Sequence, residues 1–368
     1  MSDFQNEVRD RIISRYKDGV AGTKGGKAAT PKVKKEEDFN AVMVPANPDP
    51  IWYSDIFVGG KEYLDKTTKI DLDIAAIYNQ RSDWGKEHVL QIPALDDTYV
   101  WQHDVLYTAL IAMLGGLKTL MVGGTGTGKT SFYTNLAASL NQPFYRLGGR
   151  GDMESDSILG RPDIQNGSTS FLLGEFPKAL TNGYLILFDE IWKLPAAINM
   201  TLQRILERGG ILQIDEMPGD LGDKQFFPHD KTYIALADNV VGTGDGADKY
   251  VATQIQDASS LNRVDMVLRL DYLQPQVEVD MLEGKYDFLP NVKAYKMVQL
   301  ANLIRQAHDK GQLEVTISPR NLMAWAELAY KMQNYADGFR YTMLERYADE
   351  GEKSTVRGFY QTVFGDSL

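Results

Sequence analysis

The segment LKTLMVGGTGTGKTSFYTNLAASLN, residues 117–141, places a glycine-rich loop between an apolar run and a helical pattern. The loop, residues 123–130, matches the pattern G-x-x-x-x-G-K-T. The apolar run 117–122 predicts a buried strand, and the residues from Lys129 onward predict a helix. Strand, glycine loop and helix in this order predict a loop that binds the phosphates of a nucleotide.

The predicted nucleotide contacts come from the backbone of this loop and from the first turn of the helix. Backbone N–H groups of a glycine loop and the positive end of a helix attract phosphate oxygens. Lys129 would place a point charge at the β- and γ-phosphates, and the Thr130 hydroxyl would ligate Mg²⁺. The expected cofactors are therefore ATP and Mg²⁺. The residues predicted to bind the nucleotide are Gly123, Gly124, Thr125, Gly126, Thr127, Gly128, Lys129, Thr130 and Ser131.

A pair of acids follows a second apolar run. In YLILFDE, residues 184–190, Asp189 and Glu190 emerge where a buried strand is predicted to end. One carboxylate can hold the Mg²⁺ shell and the other can polarise a water, so we assign Asp189 to magnesium and Glu190 to the general base. Asn239 ends the next run, LADN at 236–239, and is placed to hydrogen-bond the attacking water or the γ-phosphate. The alternative that Asn239 only forms a turn stays open.

Two arginines are candidates for stabilising the charge that develops during phosphoryl transfer, beyond what lysine and metal supply. Arg263 lies in SSLNRVD, just before the last apolar run. Arg320 lies in ISPRNL, at the start of a predicted helix. Their spacing along the chain singles out neither of them.

Short apolar runs alternate with helical patterns, which predicts an α/β fold with a five-stranded parallel sheet covered by helices on both faces. The predicted strands are 117–122, 143–147, 184–188, 231–237 and 265–270. Two insertions of hairpin type interrupt this domain, at 158–176 with an Asn166-Gly167 turn and at 211–227. From about residue 275 helical patterns replace the strands, so a second, α-helical domain is predicted.

The first 90 residues show weaker sequence patterns of secondary structure. Apolar residues at helical spacing in 3–18 predict a helix that packs on its own body or docks a partner, and the basic stretch 21–35 without acids predicts a linker. Residues 41–90 mix aromatics and prolines without clear periodicity. The predicted division of the chain is an N-terminal helix (1–20), a flexible basic linker (21–40), an accessory region (41–90), the α/β domain (91–273) and the helical domain (274–368).

The composition limits the possible functions. The 368 residues are 43% hydrophobic and carry a net charge of −11, which supports a sizeable core and argues against a surface built to grip DNA. There is no cysteine, so disulfides and thiolate metal sites are excluded, and the four histidines are scattered. No apolar run approaches the roughly 18 residues that span a bilayer, and the N-terminus lacks a signal-peptide core. A cytoplasmic protein without membrane contact is expected.

These motifs, in this order, resemble an AAA+ ATPase. The two hairpin insertions are similar to those of the clade that includes the MoxR proteins. Several phrases resemble the CobS family in particular, the ATPase subunits of aerobic cobaltochelatase. They are LMVGGTGTGKT, LILFDEIWK, LQRILERGGIL, ADNVVGTGDGADKYVATQIQDASSLNRVD and ISPRNLMAWAE. The resemblance runs from about residue 91 to YQTVFG near the C-terminus, about three quarters of the chain.

The resemblance implies a role for each candidate residue and an AAA+ core followed by a helical lid. The implied roles are Walker A for Lys129 and Thr130, Walker B for Asp189 and Glu190, sensor 1 for Asn239, arginine finger for Arg263 and sensor 2 for Arg320. A finger that reaches the nucleotide of a neighbouring subunit implies a homo-oligomeric ring, commonly a hexamer in this superfamily. The chain departs from the family at 236–238, where relatives are rich in alanine and threonine, and at Asn262, where they have an acid.

The resemblance also implies partners. In a cobaltochelatase, ring motions would act through a partner of CobT type with a von Willebrand A (VWA) domain and help insert Co²⁺ into a corrin precursor. A MoxR-like chaperone acting on another protein client is the alternative, and CobS-like genes also occur in bacteriophages. A nucleic-acid translocase is the weakest of the three, because the chain is acidic and lacks a basic patch interleaved with aromatics.

A second glycine-rich stretch, VGTGDGADKY at 241–250, looks like the first. No Gly-Lys-Ser/Thr follows it, and Asp245 and Asp248 would repel an anion, so it is not predicted to bind a second nucleotide. Its glycines are expected to give the backbone freedom to turn near the subunit boundary. A surface loop is the alternative.

Overall fold

The computed structural model of the protein describes residues 50–79, 86–165, 168–207, 209–239, 263–366 and 368. The predicted N-terminal helix, the basic linker and the second glycine-rich stretch lie outside these residues. The chain divides into two compact units. The sheet unit comprises the described residues within 1–95, 103–121 and 132–268, and the helical unit those within 96–102, 122–131 and 269–368.

The strands form a five-stranded sheet with the order β2-β5-β8-β1-β9, together with two small hairpins. The strands in chain order are β1 (Thr119–Val122), β2 (Phe144–Gly148), β3 (Gly160–Gln165), β4 (Ser168–Leu173), β5 (Leu185–Asp189), β6 (Leu212–Gln213), β7 (Gln225–Phe226), β8 (Tyr233–Asp238) and β9 (Met266–Arg269). Strand β5 pairs in parallel with both β2 and β8, and every residue of β5 and β8 is buried. Strands buried on both faces require continuous apolar runs, and the predicted five-stranded parallel sheet is confirmed.

Helices precede and connect these strands. Up to residue 206 they are α1 (Tyr53–Ile56), α2 (Gly60–Thr67), α3 (Lys86–Leu90), α4 (His103–Leu114), α5 (Lys129–Ser139), α6 (Ser155–Leu159), α7 (Glu175–Thr181) and α8 (Ala196–Leu206). Helix α4 is buried on most of its residues, which is why its sequence is apolar almost throughout. Helix α5 begins at Lys129, the position at which the sequence predicts a helix after the glycine loop.

Both predicted hairpins are present, with different lengths. Strands β3 and β4 pair antiparallel from Gly160 opposite Leu173 to Gln165 opposite Ser168, on either side of the predicted turn. Strands β6 and β7 pair over two residues each, because a 3-10 turn at Leu221–Lys224 occupies part of the segment between them. The first insertion is therefore a regular hairpin, whereas the second is mostly loop.

The accessory region packs on the sheet unit where it is described. Tyr53 is fully buried, and the Tyr107 hydroxyl of α4 donates a 2.7 Å hydrogen bond to the Ile70 carbonyl oxygen. The Lys231 ammonium, next to β8, donates to the Asn79 side-chain oxygen at 2.6 Å. Residues 50–79 thus belong to the same compact unit as the strands. Their helices are too short for a periodic signal, and their contacts come from distant parts of the chain.

The helical unit has its own apolar core. Its helices are α9 (Pro275–Lys285), α10 (Asn291–Asp309), α11 (Pro319–Met332), α12 (Tyr335–Thr342) and α13 (Glu350–Phe364). Trp325 is fully buried in this core, with ring centroids 4.8 Å from Phe339 and 5.5 Å from Phe364. Side-chain caps begin several of these helices, for example Ser318 before α11. Among the described helices, none is both long and apolar enough to cross a membrane.

Candidate nucleotide-binding site

The phosphate loop, residues 123–130, connects β1 to α5 and belongs to the helical unit. The Lys129 side chain folds over it, and its Nζ donates to the carbonyl oxygens of Gly123 at 2.7 Å and Gly124 at 3.0 Å. The Thr127 hydroxyl also donates to the Gly124 carbonyl at 3.0 Å. These bonds hold the lysine over the loop, where a bound phosphate would offer the ammonium stronger, charged acceptors.

The other predicted loop residues line the exposed side of this turn. Gly124, Thr125 and Gly126 are exposed, whereas Thr130 and Ser131, in the first turn of α5, are half-buried. The partial positive charge at the N-terminus of a helix attracts anions. Exposed loop backbone next to the start of α5 is therefore the arrangement that a phosphate group requires.

The phosphate loop packs directly on the start of α11. Gly126 has φ +78°, and a Cβ built on it would lie 2.3 Å from the Cβ of Ser318. Ser318 caps α11 through a reciprocal pair of hydrogen bonds with Asn321, and Arg320 is the exposed second residue of the helix. The structure thus brings the segment that carries Arg320 against the phosphate loop, although the two are almost 200 positions apart in the chain.

In the sheet unit, the predicted acids lie at the carboxyl end of β5. Asp189 is 4% exposed and is the last residue of the strand. Glu190 follows with φ 54° and ψ 46°, a left-handed conformation that costs a residue other than glycine about 1–2 kcal/mol. Its carboxylate is partly exposed and lies 3.1 Å from the Lys193 ammonium. The chain turns sharply after the buried Asp189 and presents the Glu190 carboxylate to solvent.

Arg146 is a site residue that the sequence analysis missed. It lies on β2, and its Nε and a terminal nitrogen contact the same oxygen of Asp189 at 2.8 and 2.7 Å. The arginine is about half exposed, so its charge reaches the buried carboxylate from the solvent side. An arginine inside an otherwise apolar strand could have indicated a functional residue in the sequence. Its partner, however, is revealed only by the pairing of β2 with β5.

Asp238 connects the end of β8 to the turn at Glu190. The residue is 5% exposed, and its carboxylate accepts hydrogen bonds from the backbone N–H of Trp192 at 3.2 Å and of Asn239 at 2.7 Å. Asn239 therefore lies at the end of the strand next to β5, tied through Asp238 to the segment after Glu190. This aspartate therefore holds the end of β8 to the segment that follows β5.

Arg263, the predicted arginine finger, forms an ion pair with a residue outside the predicted site. Its Nε lies 3.3 Å from the Glu207 carboxylate, just after α8, and its side chain is 26% exposed. Within the described sheet unit, Asp189, Glu190 and Asn239 thus lie on adjacent strand ends, and Arg263 pairs with the end of a helix. A partly exposed ion pair of this kind contributes little stability.

Replacing Gly149 with alanine is expected to disturb the turn at Glu190, whereas the same change at Gly148 is tolerated. A Cβ on Gly149 would lie 2.2 Å from the Glu190 carbonyl oxygen, and a Cβ on Gly148 would meet nothing within 4 Å. Overpacking of this kind costs about 1–3 kcal/mol. Thermal unfolding of both variants measures the difference, and ATPase assays report on Glu190. Equal stability and activity of the two variants would contradict the contact.

The fold and the candidate site together define the class of protein to which the chain belongs. A parallel sheet whose first strand leads into a G-x-x-x-x-G-K-T loop, and in which another strand ends in an acidic pair, is the framework of P-loop nucleoside triphosphatases. Residues 118–257 match the family model described as "AAA domain (dynein-related subfamily)", and residues 280–360 match "CbbQ/NirQ/NorQ C-terminal". The chain therefore belongs to the AAA+ ATPases of the CobS, NorQ and NirQ family.

Curated relatives cover most of the chain. It is 29% identical to the aerobic cobaltochelatase subunit CobS of a Sinorhizobium species, over 82% of this chain and 96% of that protein. It is 25% identical to NorQ of Paracoccus denitrificans, over 73% and 94%, and 24% identical to the putative chaperone BssE of Thauera aromatica, over 66% and 82%. Among solved structures, Thermotoga maritima RuvB matches with a TM-score of 0.43 and 15% identity, over 71% of this chain and 75% of RuvB.

Proposed function

We propose that this AAA+ ATPase is the motor of a CobS-like complex: it forms a ring, hydrolyses ATP and uses the cycle to remodel a partner subunit. The observation that carries the proposal is the strained turn at Glu190, which follows the buried Asp189 at the end of β5. A backbone held in an unfavourable conformation is commonly found where a side chain must be positioned for chemistry.

ATP would bind through the phosphate loop. The N–H groups of residues 123–131 and the Lys129 ammonium are the donors for its phosphates. Thr130 and Asp189 would hold Mg²⁺, and their oxygens are ligands of the type that this ion prefers. The Arg146 guanidinium lies 2.7 Å from the Asp189 carboxylate, so Mg²⁺ and this arginine would compete for the carboxylate, because like charges repel. When bound, Mg²⁺ would neutralise charge on the β- and γ-phosphates.

Each of the other predicted residues would act on the reacting groups. Glu190 would accept the proton of the attacking water, and Asn239 would orient that water or the γ-phosphate by a hydrogen bond. Arg320 would contact the phosphates from the start of α11. Arg263 would leave Glu207 and reach the nucleotide of the neighbouring subunit, which makes a ring, commonly a hexamer, necessary for hydrolysis.

The proposed client is a metal-chelating assembly. In this proposal, a VWA-domain subunit of CobT type receives the ring motions, and Co²⁺ is inserted into a corrin precursor as the substrate. The similarity to CobS over 96% of that protein supports this client.

A MoxR-like chaperone is the second candidate, encoded by a bacterium or a phage. The similarity to the putative chaperone BssE favours it. The motor would then be unchanged, and only the protein that it remodels would differ.

ATPase assays with added partners distinguish these functions. We expect the rate to rise when a VWA-domain subunit, a corrin precursor and Co²⁺ are added together, and not with DNA. Stimulation only by an unrelated protein client would replace the chelatase proposal with the chaperone. Stimulation by DNA would point to the translocase and overturn both.

A further inference from the structure

The helical unit contacts the phosphate loop at two adjacent residues. The Tyr272 hydroxyl donates a 2.8 Å hydrogen bond to the Thr125 carbonyl oxygen. The backbone at Gly126, the next residue, packs against Ser318 so closely that there is no room for a side chain. The exposed turn of the loop is therefore held from two sides by residues that follow it by more than 140 positions.

Arg305 of α10 connects these two contacts. Its guanidinium carbon lies 4.0 Å from the centre of the Tyr272 ring. Its Nε donates to the carbonyl oxygen of Ile317 at 2.9 Å, and Ile317 directly precedes Ser318. One side chain thus contacts the residue that binds Thr125 and the residue that precedes the cap of α11.

A buried carboxylate fixes the orientation of Arg305. Its two terminal nitrogens bond the two oxygens of Glu278 at 2.7 and 2.8 Å. Glu278 is fully buried and the Arg305 side chain is 5% exposed. The cost of removing two charges from water largely cancels the attraction within a buried ion pair, so such a pair adds little net stability. We therefore interpret the Glu278–Arg305 pair as a contact that fixes the geometry of the arginine.

Arginine is the side chain that this position requires. Its planar guanidinium donates to Glu278 and Ile317 at its edge, while its face packs on the Tyr272 ring. A lysine would keep the charge but has no plane to stack and no second group of donors in fixed directions.

We propose that Arg305, oriented by Glu278, is a positioning residue that fixes the phosphate loop and the start of α11, which carries Arg320, relative to each other. It acts through Tyr272 on Thr125 and through Ile317 on Ser318, and it does not touch the nucleotide. Packing inside the helical unit thereby sets the nucleotide affinity of the loop. This inference rests on the proposed nucleotide-binding function of the loop.

The first test is Tyr272→Phe, which removes the hydroxyl and keeps the ring that packs on Arg305. We expect the Kd for a fluorescent N-methylanthraniloyl ATP analogue to rise about fivefold, the size of one neutral hydrogen bond. Tyr347→Phe is the matched control, because its hydroxyl also donates to a backbone carbonyl in the helical unit, Val315 at 2.9 Å. Its Kd should equal that of the wild type. Equal Kd values for both variants would overturn the inference.

The second test asks whether Tyr272 and Arg320 are energetically coupled in binding the ATP analogue. We expect the effects of Tyr272→Phe and Arg320→Ala on the Kd to be non-additive, and the coupling to disappear when Arg305 is replaced by lysine. A structural role alone would lower the melting temperature without coupling these two residues. Additive effects in the presence of Arg305 would overturn the inference. A wild-type chain that does not bind the analogue would refute the proposed function and this inference with it, whereas binding without coupling refutes only the inference.

Discussion

The Glu190→Gln variant is expected to bind ATP, to hold the ring together and to lose turnover by about 10²–10⁴-fold, the usual contribution of a general base. The amide keeps the shape of the side chain but cannot take a proton from water. The left-handed backbone at Glu190 and the buried Asp189 before it do not depend on the carboxylate, so the site should remain folded. Single-turnover ATPase assays and binding of the fluorescent analogue separate the two effects.

Glu175→Gln provides the control for Glu190→Gln. Glu175 lies on α7 and, like Glu190, contacts a lysine three residues later, Lys178 at 2.8 Å. Loss of an exposed ion pair alone should therefore leave turnover unchanged. If Glu190→Gln hydrolysed ATP at the rate of Glu175→Gln, the assignment of the general base would be wrong.

The Arg263→Ala variant is expected to be inactive alone, with turnover lowered by about 10³-fold or more, because an arginine finger stabilises charge in the transition state. Its contact with Glu207 within the chain is exposed, so its removal should leave the fold intact. Arg340→Ala is the matched control. It removes an exposed ion pair, with Asp337 at 3.5 Å, and should retain full turnover.

Rings that contain two inactive variants test whether Arg263 acts on the neighbouring subunit. Co-expression of Arg263→Ala with Glu190→Gln creates interfaces at which an intact Arg263 faces an intact Glu190. These rings should recover part of the wild-type rate, although each variant alone is inactive. Mixed rings without activity would leave the proposed role in trans unsupported. The same result would remove the main reason to propose a ring.

Several strands of the sheet unit were predictable from the sequence. The apolar runs at 117–122 and 184–188 correspond to β1 and β5 within two residues at each end, because a strand buried on both faces needs an unbroken apolar sequence. The Asn-Gly pair predicted a hairpin at this position, and β3 and β4 pair antiparallel on either side of it. In each case the physical cause acts on neighbouring residues.

The packing around those elements was not predictable. Residues 50–79 carried no periodic signal, yet Tyr53 is fully buried in the sheet unit. Arg146 is separated from Asp189 by 43 positions, and Tyr272 from Thr125 by 147. No local pattern specifies such partners, since they meet only when strands pair or helices pack.

The sequence by itself determined the phosphate loop, the acidic pair and the order of strands and helices. Each of these depends on backbone preference or on burial that repeats along a short segment. Only the tertiary structure decided which groups surround them. These are the Arg146 guanidinium that contacts Asp189, the Asp238 carboxylate that accepts from the N–H of Trp192, and the Glu278–Arg305 pair. Each of these is a single contact between residues that are distant in the chain. The energy of such a contact depends on the packing that brings the two residues together, and not on which residues precede or follow them in the sequence.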